Sequence, residues 1–144
     1  MAPAKPSILI VDDEFGLAEM LRDMLRESGF EVTLAINGGL ALEILEEGKV
    51  DLVLTDMMMP VMDGAELAAA MRNHDRYRAI PIIMMTSLPT VRPQPGGLFD
   101  AVLRKPFTPN LLLKTMGACL AAAETDLAER SPGAKPESDA GLAG

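Results

Sequence analysis

The chain has 144 residues, of which 49% are hydrophobic and 24% charged, a size and balance that fit one globular domain with a substantial core. A net charge of −8 argues against a nucleic-acid surface, which needs clustered Lys and Arg. The single cysteine, Cys119, rules out an internal disulfide, and no apolar run approaches the length of a membrane span.

The opening "MAPAKPSILIVDDE" holds a short apolar run that ends in two acids, which reads as a strand over 7–11 rather than a signal peptide. Residues 1–6 precede it as an extension. "SILIV" is apolar from Ile8 to Val11, as a strand covered on both faces should be. Leu17, Met20, Leu21, Met24 and Leu25 then follow the spacing of a buried helix face, and Gly29 suits the residue just past that helix. "FEVTLA" (30–35) reads as a second strand, and Asn37 can cap a helix through Leu45 and Glu46. "DLVLT" is a third strand, running straight into Asp56. Asp63, with Glu66 three residues on, makes a capping-box start for a helix over 64–73. "IPIIMMT" (80–86) and "AVLR" (101–104) read as the fourth and fifth strands. Thr108 and Pro109 suit the cap and first position of a last helix, with a buried stripe of Leu112, Met116, Cys119, Leu120 and Ala123. The domain is assigned to 7–127, and residues 128–144, poor in bulky apolar side chains, are expected to be a disordered tail. Strands alternating with helices imply a parallel sheet with helices on both faces.

Ligands of open parallel sheets sit beyond the carboxyl ends of the strands. Those ends here carry Asp12 and Asp13, Asp56, Thr86 and Lys105. Three clustered carboxylates repel unless a cation intervenes. An all-oxygen set without histidine or cysteine suits Mg²⁺, and with Lys105 it would hold Asp56 ionised as a nucleophile able to form an acyl phosphate.

The set Asp12-Asp13, Asp56 followed by "MMMPVMDG", Thr86 and "KPF" at 105–107 resembles the receiver domain of two-component response regulators. Five separated positions agree in order and strand context over residues 7 to about 125. The resemblance implies a flavodoxin-like, doubly wound five-stranded sheet in the order 2-1-3-4-5. It also implies that Asp56 is the phosphoacceptor, and that Mg²⁺ is held by Asp13 directly, Asp12 mainly through water, Asp56 and the backbone carbonyl of Met58. Thr86 and Lys105 would bind the phosphoryl group, and Pro106 would follow a cis peptide. The donor would be a histidine kinase or histidine phosphotransfer protein in the cytoplasm. The downstream protein is unknown, and neither nucleic acid nor membrane would bind through this domain.

Taken singly, each residue has a plainer reading: acids near a helix start, a strand-end turn at Asp56, a surface lysine before a proline. Met57 to Met59 read as packing and backbone, His74 as a loop residue, and Cys119 as a small core residue. The pattern is also broken in places. Val102 stands where the family often has an aromatic, and Ser87 where it has a very small residue. In "SLPTVRPQPGGLFD" (87–100), Pro93 and Pro95 followed by Gly96-Gly97 predict a loop or single turn in place of the family's fourth helix. A shortened helix nearer Gly97 is the alternative. Residues 88–98 are expected to be mobile, and their order to change on phosphorylation. A non-enzymatic, stand-alone receiver is the leading reading. A fragment of a longer regulator is the second. A haloacid-dehalogenase-like phosphatase is disfavoured, because those enzymes place a D-x-D nucleophile after strand one.

Overall fold

The computed structural model describes residues 5–92 and 97–130, with side chains up to residue 125. Five parallel strands, β1 (Ser7–Val11), β2 (Glu31–Ala35), β3 (Leu52–Asp56), β4 (Ile82–Thr86) and β5 (Ala101–Arg104), lie in the order β2-β1-β3-β4-β5. The helices are α1 (Phe15–Glu27), α2 (Gly38–Glu47), α3 (Gly64–Arg72) and α4 (Pro109–Arg130). This is the flavodoxin-like fold expected from the resemblance.

Alternation along the central strands divides the core between the two faces. Ile8, Ile10, Leu52, Leu54, Ile83 and Met85 pack with Leu21 and Leu25 of α1 and Leu112 and Met116 of α4. Leu9, Val11, Val53 and Ile82 pack with Leu45 of α2 and Leu67 and Met71 of α3. Both faces are covered, so the middle strands are apolar up to the polar residues that end them, Thr55, Asp56 and Thr86.

The helix ends follow from local chemistry. At the end of α1, Gly29 takes φ +99°, its amide donates to the Arg26 carbonyl, and the Phe30 amide reaches back to Leu25. Only glycine enters that region without steric cost, so the chain turns there. Asn37 Oδ1 accepts from the Leu40 amide at 2.8 Å. Asp63 and Glu66 form the reciprocal capping box, at 2.8 and 3.0 Å. Thr108 Oγ1 caps α4 by accepting from Leu111.

Two expectations need correction. Met20, assigned to the buried face of α1, is 65% exposed, and Ala18 is buried instead. The helix seats the narrow stripe Ala18–Leu21–Leu25 against the sheet. Leu17, Met20 and Met24 line an apolar groove with Pro106, Phe107 and Leu112. The last helix also continues to Arg130, past the boundary set at residue 127. The rest of the expected tail, 131–144, lies outside the described residues.

Among the described residues there is no helix between Thr86 and Ala101. Pro93 and Pro95, to which that expectation was tied, lie outside them. The described parts of the connection are anchored at both ends. Leu98 and Phe99 pack on the α2/α3 face of the sheet. Near its end, Arg72 donates to the Leu98 carbonyl at 3.1 Å and to Asp100 at 2.7 Å. The same guanidinium donates to the Arg78 and Ile80 carbonyls at 2.7 and 2.8 Å. One arginine thus joins the end of α3, the approach to β4 and the approach to β5.

Candidate functional site

The carboxyl ends of the strands bring the sequence-predicted acids together. Carboxylate oxygens of Asp12, Asp13 and Asp56 lie within 4.8 Å of one another. Asp12 is 1% exposed and Asp56 8%, whereas Asp13 is exposed. Lys105 Nζ sits 2.9 Å from Asp56 Oδ1. Asp56 therefore has a charged partner at the end of an apolar strand, which is what makes its buried charge tolerable.

The site is tied together by backbone. The Asp12 amide donates to the Ala35 carbonyl at 3.0 Å, and the Met57 amide to Met85 at 3.0 Å. The Lys105 amide donates to the Thr86 carbonyl at 2.9 Å, linking the ends of β4 and β5 directly. Thr86 is 3% exposed, and its Oγ1 accepts from the Leu88 amide at 3.0 Å. A hydroxyl that accepts still carries its own proton, which remains available for a further acceptor. The Lys105–Pro106 peptide is cis. Met58 presents a 68% exposed side chain in the loop behind Asp56.

Electrostatics at the site are asymmetric. Burial pushes the Asp12 carboxyl above its ordinary value, a hydrogen bond from the Glu14 amide pulls it partly back, and the Asp56 charge raises it again. For Lys105, burial works to lower the ammonium. The hydrogen bond and charge of Asp56 outweigh it, and Lys105 is held above its usual range. Asp12 Oδ1 accepts from Glu14, but Oδ2 is buried without a partner. An orphaned carboxylate oxygen among two further carboxylates fits a hard divalent cation.

The raised Asp12 carboxyl has a stability consequence. The folded state binds that proton more readily than the unfolded chain. The penalty for ionised Asp12 is therefore absent below the ordinary carboxylate range and complete above the raised folded value. In metal-free protein at neutral pH, Asp12→Asn should raise unfolding free energy, because it removes a desolvated charge that Asp56 repels. The gain should shrink as acid protonates the wild-type carboxyl. Denaturant unfolding at two pH values checks this, and a less stable variant at neutral pH would contradict it.

Two features of the loop from β3 to α3 escape pattern reading. Val61 has φ 72° and is 86% exposed. A β-branched residue in the left-handed region costs on the order of 1–2 kcal/mol, so strain sits in the loop that follows Asp56. Gly64 donates its amide to the Met57 carbonyl at 2.8 Å, and a methyl group there would collide with the Asp56 carbonyl and come within 2.8 Å of Met84 Sδ. Gly64→Ala should destabilise the fold by about 1–3 kcal/mol, as overpacking does, and displace the Asp56 backbone. Chemical denaturation combined with the Asp56 amide shift would measure both, and unchanged values would show that the loop yields freely.

The arginines of this region also went unread in sequence. Arg104, one residue before Lys105, donates to the carbonyls of Leu88, Pro89 and Val91. A single arginine gives no sequence signal for such contacts, because they depend on where the connection returns.

The sequence matches the response regulator receiver domain family over residues 8–116. The DNA-binding response regulator MtrA of Mycolicibacterium smegmatis is 35% identical over 133 residues, which cover 90% of this chain and 57% of that protein. The chain spans about half the length of several other curated relatives, including the transcriptional regulatory protein GltR of Pseudomonas aeruginosa, of which it covers 50%. Among solved structures, the chemotaxis response regulator CheY4 of Vibrio cholerae superposes with a TM-score of 0.72 at 31% identity, covering 80% of this chain and 98% of that one. The receiver domain of sensor histidine kinase PA1611 from P. aeruginosa, described with a magnesium ion coordinated in its active-site cleft, has a TM-score of 0.72 at 27% identity, covering 82% and 99%. The match over residues 8–116, on a sheet of matching order with its acids gathered at one edge, places the chain in the receiver domain family of two-component response regulators.

Proposed function

We propose that Asp56 accepts a phosphoryl group from a phosphohistidine on a histidine kinase or histidine phosphotransfer protein, and that the acyl phosphate switches binding of a downstream protein. The observation that carries this is the contact of Lys105 Nζ with Asp56 Oδ1 at 2.9 Å, beside Asp12 and Asp13. This contact supports reading Asp56 as the nucleophile and Lys105 as the phosphoryl-binding cation. A carboxylate oxygen of Asp56 would attack phosphorus. The phosphorus–nitrogen bond to imidazole would break, with its electron pair leaving on nitrogen, and an oxygen–phosphorus bond would form. Lys105 orients the carboxylate and would then pair with a phosphoryl oxygen, while the Thr86 hydroxyl donates to another. Such transfer needs positioning and charge neutralisation more than covalent help from the protein.

Asp12, Asp13, Asp56 and the Met58 carbonyl would hold Mg²⁺, which supplies charge neutralisation of the phosphoryl oxygens when bound. The receiver described with magnesium in its cleft supports that choice of ion. The chain acts in this reading as a phosphoacceptor that assists its own modification and hydrolysis, not as a turnover enzyme.

The surroundings suit a protein donor. Most of the exposed large apolar side chains among the described residues, including Phe15, Ile36, Met58, Val61 and Leu88, fall in the loops at this sheet edge or the first turns of the helices beyond it. Apolar surface gathered around an acidic pocket marks a contact face. No helix among the described residues is long and apolar enough to cross a membrane. Relatives such as MtrA extend well beyond the matched region, so an output domain on the same polypeptide remains the second reading. The test is label transfer from autophosphorylated histidine kinases of the same cell. Label should pass to this chain and be released by hydroxylamine, as an acyl phosphate is. If acetyl phosphate modifies the chain but no kinase does, the kinase-fed reading falls while the phosphoacceptor chemistry stands.

A further inference from the structure

The connection from β4 to β5 lacks a helix among the described residues, yet its first part is held by a closed circuit of contacts. Thr86 and Arg104 are register partners at the ends of β4 and β5. Thr86 Oγ1 accepts from the Leu88 amide at 3.0 Å. The Arg104 guanidinium then gathers three carbonyls of the same segment: Leu88, Pro89 at 2.9 Å and Val91 at 2.8 Å. The circuit closes through the Lys105 amide, which donates to the Thr86 carbonyl at 2.9 Å. Both proposed phosphoryl-binding residues, Thr86 and Lys105, are therefore covalent or hydrogen-bonded neighbours of the two ends of this claw.

We propose that Arg104 is the positioning residue through which the state of Asp56 is passed to residues 88–91. The inference rests on the phosphoacceptor reading above. A planar guanidinium with five donors can hold three carbonyls at once, which an ammonium on a flexible stem cannot do in a fixed geometry. When the Thr86 hydroxyl donates to a phosphoryl oxygen, its oxygen becomes a better acceptor for the Leu88 amide, because linked hydrogen bonds polarise one another. That strengthening orders the segment only if its carbonyls are already gathered. Without Arg104 the Leu88 amide would move with a loose strand of chain, and the gain at Thr86 would stay local. Val102, which lies on the same strand two residues earlier, has no polar group with which to take this part.

Hydrogen exchange resolved to single amides tests the proposal on the full chain, with and without Mg²⁺ and beryllofluoride. In the wild type the Leu88 amide, whose acceptor is Thr86 Oγ1, should gain protection on adding beryllofluoride. In Arg104→Met, which keeps the stem and removes the donors, protection of this amide should fall about tenfold without beryllofluoride, the size of one lost net hydrogen bond, and further with it. The beryllofluoride gain should disappear. Arg104→Lys should behave as Arg104→Met does, since charge without the fork does not gather the carbonyls. It decides the question if the methionine variant fails to fold. Labelling of Asp56 by acetyl phosphate runs alongside. Intact labelling with a wild-type exchange pattern in the variants overturns the role of Arg104 and leaves the phosphoacceptor reading in place. Absent labelling in the wild type overturns the reading itself, and the proposal with it.

Discussion

Lys105→Ala is expected to leave a protein that can still take a phosphoryl group but responds to it weakly. The ammonium is the only side-chain cation in contact with Asp56 among the described residues, at 2.9 Å. A group shifts a conformational equilibrium only through contacts that differ between the states, and a charged hydrogen bond to a new phosphoryl oxygen is such a contact. Its loss should remove about 1.5–3 kcal/mol of preference for the modified state, roughly a ten- to hundredfold shift in population. Thr86→Ala removes a neutral hydrogen bond and should cost about 0.5–1.5 kcal/mol. Amide shift changes on adding beryllofluoride should therefore shrink far more in Lys105→Ala than in Thr86→Ala. Full-sized responses in both would leave the coupling without its proposed carriers.

The second large effect falls on stability, and on a residue far from the chemistry. Arg72 donates four hydrogen bonds, to the carbonyls of Leu98, Arg78 and Ile80 and to Asp100. Its side chain is 21% exposed, and the bonds to Leu98 and Ile80 are partly buried while those to Arg78 and Asp100 face water. Asp100 Oδ2 also accepts from the Ile82 amide at 2.8 Å, which fixes the start of β4. Arg72→Met keeps the apolar stem but removes a donor from three carbonyls, and leaves Asp100 with the Ile82 amide. We expect a loss of about 3 kcal/mol, towards the upper end for single substitutions. The thermal midpoint should then fall by roughly 6–12 °C for a domain of this size. Asp100→Asn keeps the three carbonyl contacts and should cost markedly less. A loss under about 1 kcal/mol in Arg72→Met, the range of an exposed ion pair, would show that the approaches to β4 and β5 are held by packing alone.

What was legible in sequence, and what was not, follows from the range of the interactions involved. The strands are short apolar runs, and the caps at Asn37, Asp63 and Thr108 are local patterns, so both read directly from neighbouring residues. The gathering of Asp12, Asp13, Asp56 and Lys105 at one edge followed from reading the residues that end each strand of a parallel sheet, since topology alone brings those ends together. Met20 was misplaced because periodicity gives the direction of a helix face but not its width, and α1 buries only a narrow stripe. Sequence also showed that a regular helix between β4 and β5 was disfavoured. It did not show what holds the connection instead. That task falls to Arg72 and Arg104, which act on backbone carbonyls up to 26 residues away. A carbonyl acceptor exists at every residue, so no pattern of side chains announces such a contact. The left-handed Val61 is hidden for a related reason, because its strain is imposed by the loop rather than chosen by the residue.

The assignment of Asp56 is tested most directly by intact mass after incubation with acetyl phosphate, run on the wild type and Asp56→Asn, each with Mg²⁺ and with a chelator. A single phosphoryl group on the wild type, dependent on Mg²⁺ and missing from Asp56→Asn, is the predicted result. Label that persists in Asp56→Asn, or that forms equally well in chelator, would contradict it.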